Sequence, residues 1–230
     1  MSTTLETIGF DADDTLWQNE TVFRLTQERF ASLLVDFAEP DHLVERLMAA
    51  EERNLRHYGF GIKGFILSMI ETAIEVTEQR VPASVIAQLV DAGREMLAHP
   101  IDLIEHAEDA VRALSESHRL LLITKGDLLD QERKLAQSGL GDAFDGVHIV
   151  SDKTPAIYRE AFAETGRSMM IGNSMRSDVL PALEAGAWGV YVPHGLTWSY
   201  EQAPPPTDQP RYRELTSLAG LVDLVAAIES

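Results

Sequence analysis

The apolar run Ile8-Gly9-Phe10 leads straight into three carboxylates within four positions, Asp11, Asp13 and Asp14. Nearby negative charges repel, and each raises the cost of ionising the others. A solvated acidic turn is one explanation. The other is a site where carboxylates gather because a cation or a transferring phosphoryl group sits among them. Further clusters follow later apolar runs: Thr124-Lys125-Gly126-Asp127, Ser151-Asp152-Lys153-Thr154, and Gly172-Asn173-Ser174-Met175-Arg176-Ser177-Asp178. Together they offer carboxylates, an amide, two lysines and hydroxyls, a set suited to an anion and a hard cation.

Composition narrows the classes. The 230 residues are 45% hydrophobic and 24% charged, an ordinary globular balance that buries a real core. A formal net charge of −18 argues against sequence-independent binding of a nucleic acid polymer. It does not exclude a small anionic substrate, because a bound cation reverses the local field. With no cysteine, disulfides, thiolate nucleophiles and cysteine metal sites are excluded. The seven histidines are scattered without metal-ligand spacing, so zinc is not expected. The opening MSTTLETIGFDADD lacks a basic stretch followed by an apolar one, so it does not read as a secretory signal. No apolar run approaches the roughly 18–20 residues of a membrane span. The expectation is a cytoplasmic protein with no membrane partner; oligomeric state is left open.

The elements that must position these clusters fall into three parts. Residues 5–10 (LETIGF) read as a short strand. Residues 20–98 read as helices only, with Phe23, Phe30, Leu33, Leu34 and Phe37 on one face, then Leu43, Leu47 and Leu55 before Gly59. Next come the Met69/Ile70/Ile74 stripe and a helix after Pro82. These stripes read as core packing. From about residue 103 helices and strands alternate: strands RLLLIT, GVHIV, SMMIG and WGVYV, with helices HAEDAVRALSES, LLDQERKLAQSG, PAIYREAFAET and RSDVLPALEAG between them. QAPPPTDQP reads as a loop before a last helix, LTSLAGLVDLVAAI.

One strand before the helical block and four after it predict an α/β fold, a doubly wound, Rossmann-like parallel sheet. The expected division is a core of residues 1–18 and 99–230 and an all-helical cap of residues 19–98. Ligands of such sheets bind outside the strand carboxyl ends, at a topological switch point. Four polar loops on that edge are hard to explain as ordinary turns.

These motifs, in this order, resemble the haloacid dehalogenase-like hydrolase superfamily. Phe10-Asp11-Ala12-Asp13-Asp14-Thr15-Leu16 fits its first motif, an apolar strand followed by D-x-D-x-T-L. Leu121-Leu122-Ile123-Thr124 fits the second, Lys153 the third. Gly172 to Asp178 fits the fourth, G-D-x-x-x-x-D, except at Asn173. The resemblance covers roughly residues 5–195, and the helical block lies where the family inserts its α-helical cap.

The resemblance implies that Asp11 is the nucleophile and that Asp13 protonates the leaving oxygen and then activates water. Asp13 then needs a pKa raised from ~3.9, and Asp11 and Asp14 are expected to push it up. Thr124, Lys125 and Gly126 would bind the phosphoryl group, and Lys153 would neutralise it and Asp11. The implied cofactor is Mg2+, held by Asp11, Asp13 through its carbonyl, Asn173 and Asp178. Asp14, Thr15, Arg176 and Ser177 read as structural. His57, Tyr58 and Lys63, in the glycine-bounded HYGFGIKGF, read as a connector or as substrate contacts.

Three functions stay open at this point. The first is a magnesium-dependent phosphatase of a small phosphorylated metabolite. The second is a 2-haloacid dehalogenase working through an aspartyl ester. The third is a non-catalytic phosphate- or partner-binding relative. Asp13 favours the first over the second, because halide leaves without a proton; Asn173 alone favours the third.

Overall fold

A computed structural model of the chain describes residues 4–163, 167–195 and 197–230. Its six strands are β1 (Thr7–Phe10), β2 (Arg119–Lys125), β3 (Gly146–Val150), β4 (Ser168–Gly172), β5 (Trp188–Tyr191) and β6 (Tyr212–Glu214). They form one all-parallel sheet in the order β3-β2-β1-β4-β5-β6. The chain builds leftward from β1 to β3, then returns to build rightward from β4. The switch point therefore lies between β1 and β4, where Phe10 stands opposite Ile171. On the other side Phe10 stands opposite Leu122 of β2.

Burial follows position in the sheet. β1 and β4 are buried at every residue, and β2 is buried from Leu120 to Thr124. Strands covered on both faces read as unbroken apolar runs, as TIGF, LLLIT and SMMIG do. The edge strands β3 and β6 carry His148 and Arg213 and are more exposed. β6 is a fifth strand after the helical block where four were expected; three residues are too few to show a period of two.

By their contacts the residues form two compact units. One runs to Glu20 and resumes at Ile101–Lys125 and Gln131–Ser230; the other comprises Thr21–Pro100 and Gly126–Asp130. The second unit is built from α1 (Glu20–Leu33, all but its first residue), α2 (Pro40–Tyr58), α3 (Ile62–Val76) and α4 (Ala83–Ala98). Its core joins Phe30, Leu34, Leu43, Leu47, Phe65, Met69 and Leu89. Gly59 ends α2 at φ 72°, its N–H donating to the Leu55 carbonyl. Tyr58 donates to Glu71, and Lys63 pairs with Asp127 at 3.2 Å.

The sheet-bearing unit adds α5 (Ala107–Ser115), α6 (Leu128–Ser138, from Gln131 onward), α7 (Pro155–Ala161), a π-helical turn (Met175–Val179) leading into α8 (Leu180–Glu184), and α9 (Leu221–Glu229). The helix expected over residues 155–165 is seen as α7; Glu164 and Thr165 lie outside the described residues. Among the described residues no helix is long and apolar enough to cross a membrane.

Two expected core positions are not core. The α1 helix stops at Leu33, so Phe37 falls in the following turn and is 41% exposed, while Phe30 is fully buried. Ile74 is 39% exposed although Met69, on the same helix, is buried. Phe30→Ala should then cost about 3–5 kcal/mol of stability. Phe37→Ala should cost well under that, about 1 kcal/mol or less. Denaturant unfolding followed by far-UV circular dichroism separates the two.

The join from β1 to α1 stores electrostatic tension. Asp14 turns through the left-handed region (φ 58°), and its carboxylate accepts from the N–H groups of Asn19 and Glu20, both at 2.9 Å. It thereby caps donors of the first turn of α1. Burial pushes Asp14 up to about 6, against the pull of the Asn19 N–H. Burial, then Asp14 and Asp13, push Glu20 up to about 7. A carboxylate with its folded pKa above its unfolded value destabilises the fold once ionised. The penalty is absent below about 4.5 and complete above about 7. Glu20→Gln should melt with the wild type near pH 4 and above it at pH 8. An equal offset at both pH values would contradict this.

Candidate active site

Because every strand is parallel, all carboxyl ends emerge on one edge. The β1 loop gives Asp11 to Thr15, the end of β2 gives Thr124 and Lys125, the β3 loop gives Lys153, and the β4 loop gives Asn173 to Asp178. The Asp11 N–H donates to the Ile171 carbonyl at 2.9 Å, which continues the β1–β4 ladder and fixes Asp11 at the switch point.

Lys153 stands between two carboxylates. Its ammonium donates to Asp11 Oδ1 and, at 2.7 Å, to Asp178 Oδ1. All three side chains are buried. Burial pushes Asp11 up to about 7, and Asp178 adds to that against the pull of Lys153. Burial alone would push the Lys153 ammonium down, but Asp11 and Asp178 outweigh it and hold the amine charged. Two buried carboxylates thus share one ammonium.

The fourth-motif loop is fixed from several sides. The other oxygen of Asp178 accepts the Ser174 N–H at 2.9 Å. A Cβ on Gly172 would meet that carboxylate at 2.1 Å, so only glycine fits there. Ser174 Oγ accepts the Ser177 N–H at 2.9 Å and caps the turn. Tyr158 donates its hydroxyl to the Ser177 carbonyl at 2.9 Å.

Thr15 does more than support the turn. Its hydroxyl donates to Asp11 Oδ2 at 3.0 Å, accepts the Asn173 N–H at 3.1 Å and lies 3.5 Å from Asn173 Oδ1. One hydroxyl therefore draws a carboxylate oxygen and an amide oxygen to the same point. Those two oxygens suit a hard cation such as Mg2+, which takes one or two carboxylates and keeps waters. Among the described residues no three acidic or imidazole side chains form a ready-made cation cage. The two oxygens of Asp178 face Lys153 and the Ser174 N–H.

Asp13 and Lys125 are placed differently from Asp11. The neighbours expected for Asp13 were carboxylates, but its oxygens accept from Trp17 Nε1 (2.7 Å), Gln131 Nε2 (2.8 Å) and Lys134 Nζ (2.9 and 3.1 Å). Lys125 Nζ donates to Glu201 at 2.6 Å and to Ser177 Oγ at 2.8 Å. Burial would raise Glu201, but Lys125 and the hydroxyls of Ser174 and Ser177 hold it below the usual carboxylate range. Thr124 is buried at the end of β2, its hydroxyl making a long 3.3 Å bond to the Lys125 carbonyl. Gly126 follows at φ 133°, a conformation that favours glycine.

Four of these residues escaped the sequence reading: Trp17, Gln131, Lys134 and Glu201. Gln131 and Lys134 lie three apart on a helix otherwise read by its leucines. Glu201 lies nine residues past Val192, in a loop with Trp198 and Tyr200, over whose ring Arg176 stacks at 4.0 Å. Only the fifth strand-end loop itself, after Val192, pointed toward it.

Comparison with known proteins identifies the family. The profile of haloacid dehalogenase-like hydrolases matches residues 5–186. A haloacid dehalogenase-like family hydrolase from Xanthomonas campestris is 40% identical, superposes with a TM-score of 0.88, and covers 98% of this chain and 92% of its own. The HAD-hydrolase YfnB from Bacillus subtilis, a structure bound to magnesium, is 16% identical with a TM-score of 0.65, over 96% of this chain and 99% of its own. A glyceraldehyde 3-phosphate phosphatase from Methanothermobacter thermautotrophicus is 23% identical over 210 residues, 84% of this chain and 88% of its own. With the profile spanning most of its length and the site at the switch point, this chain belongs to the haloacid dehalogenase-like hydrolases, and it is an enzyme of the hydrolase class.

Proposed function

We propose that the chain is a magnesium-dependent phosphatase acting on a small phosphorylated metabolite through an aspartyl-phosphate on Asp11. One observation carries this reading: Asp11 is buried at the switch point with Lys153 on one oxygen, Thr15 on the other, and a second carboxylate, Asp13, two residues on. The phosphatase name of the Methanothermobacter relative supports it.

In the first step an Asp11 oxygen attacks phosphorus, the bond from phosphorus to the leaving oxygen breaks, and that oxygen takes a proton from Asp13. In the second, water attacks the same phosphorus, gives its proton to Asp13, and the bond to Asp11 breaks to release phosphate. Lys153 offsets the charge on Asp11 and the phosphoryl group. Thr124 exchanges its long bond to Lys125 for a phosphoryl oxygen, and Lys125 and the Gly126 N–H flank it. Asp11, the Asp13 carbonyl and Asn173, with Asp178, would hold Mg2+, which when bound would supply the charge cancellation that lets one anion approach another.

The dehalogenase reading has no use for Asp13, since halide leaves unprotonated. A buried lysine and glutamine are devoted to that carboxylate, which holds it in one place beside Asp11. Phosphate release from a phosphomonoester should therefore need Mg2+ and vanish in Asp11→Asn with the fold intact. Halide release from 2-chloropropionate without Mg2+ would favour the second reading, and neither activity the third.

Asn173 offers magnesium an oxygen without a charge. Asn173→Asp should lower the Mg2+ concentration for half-maximal activity by roughly an order of magnitude, because ligand charge tunes affinity. An unchanged Mg2+ titration would place residue 173 outside the cation site.

A further inference from the structure

Helix α6 carries its polarity inside out. Leu128 and Leu129 are 61% and 73% exposed, whereas Gln131 and Lys134 are 3% and 6% exposed. Lysine is almost never buried without a partner, and burying its charge is unfavourable unless geometry compensates. The two polar side chains lie nearly one turn apart, so they leave the helix on one face. Both reach Asp13.

A carboxylate has about four lone-pair positions. Three donor groups meet Asp13: Trp17 Nε1 on Oδ1, Gln131 Nε2 on Oδ2, and the single Lys134 ammonium shared between the two oxygens, which leaves a position for a proton. Lys134 is braced in turn by Asn19 Oδ1 at 2.8 Å. Gln131 is oriented just as firmly. Its Nε2 also donates to the Lys125 carbonyl at 3.1 Å, so a flipped amide would aim its oxygen at two acceptors. The retained orientation leaves Oε1 buried with no hydrogen-bond partner, an unfavourable state for a polar atom. The helix accepts an orphaned oxygen to keep the nitrogen on Asp13.

We infer that Lys134 and Gln131 are positioning residues that hold the Asp13 carboxylate where it gives and takes its proton. The inference rests on the phosphatase reading, in which Asp13 is the proton shuttle, and extends it to two residues on α6 that the family motifs do not contain. Their effect passes through Asp13, so it must depend on how much protonation the leaving group needs. A p-nitrophenolate leaves without help, whereas an alkoxide does not.

The experiment measures the rate of aspartyl-phosphate formation by acid quench, from glycerol 2-phosphate and from p-nitrophenyl phosphate. Lys134→Met and Gln131→Leu should each slow formation from glycerol 2-phosphate about tenfold or more, within the range of general-acid help. Formation from p-nitrophenyl phosphate should stay within about threefold. Lys134→Arg, which keeps the charge, should recover much of the loss. Adding Lys134→Met to Asp13→Asn should bring no further loss, because the two act as a unit. If Asp13→Asn discriminates between the substrates while Lys134→Met and Gln131→Leu slow both alike or neither, the inference is wrong and the shuttle stands. If Asp13→Asn does not discriminate, the shuttle reading falls and takes the inference with it. Should Lys134→Met not fold, Gln131→Leu decides the matter alone, since it leaves no unpaired charge.

Discussion

The site depends on one buried imbalance: two carboxylates, Asp11 and Asp178, held against the single ammonium of Lys153. Removing charges from water is unfavourable, and partners offset it only when geometry is good and every lone pair is met. Here the surroundings supply that geometry. Gly172 gives Asp178 room, the Ser174 N–H meets its second oxygen, and the Thr15 hydroxyl meets the second oxygen of Asp11. What remains is negative charge in excess, and burial, with Asp178 adding to it, raises Asp11 to about 7. Such a surplus of negative charge is what the proposed cation would offset.

The sheet order is what makes the imbalance possible. Asp11 and the fourth-motif loop are 160 residues of chain apart only in sequence, roughly speaking, since β1 and β4 are hydrogen-bonded neighbours. The chain reverses its direction of winding between them, which is where such sheets bind ligands. Lys153 arrives from the far edge strand β3, and its long side chain spans the gap. Each strand is short and apolar, and each delivers its polar residues only past its last buried position.

That arrangement explains what could be read from the sequence. A strand buried on both faces is an apolar run, and the residues that end it are conspicuous, so Asp11, Thr124, Lys153 and Asn173 stood out. β6 did not, because Tyr212–Glu214 is three residues long and lies at an exposed edge. Phe37 and Ile74 fit a helical period, but period does not reveal where α1 stops or which side of α3 meets solvent. Lys134 and Glu201 were invisible for another reason. Lys134 meets Asp13 across 121 positions and Glu201 meets Lys125 across 76, and a buried lysine or glutamate looks like a surface one until its partner is placed. The leucines at the start of α6, Leu128 and Leu129, are exposed, whereas Gln131 and Lys134 after them are buried.

The departure at Asn173 follows from the same imbalance. An aspartate there would put a third carboxylate beside Asp11, within reach of the same Thr15 hydroxyl. Without a bound cation each added negative charge raises the cost of ionising its neighbours, and Asp11 is already pushed up to about 7. Asparagine keeps the acceptor oxygen and omits the charge. The fold is spared repulsion, and in the proposed magnesium site the grip on the cation would be correspondingly weaker. Stability and function draw on the same residue in opposite directions, as they do wherever an active site holds strained charge. In the proposed magnesium site the chain would offer an oxygen at 173 and leave the charge to Asp11.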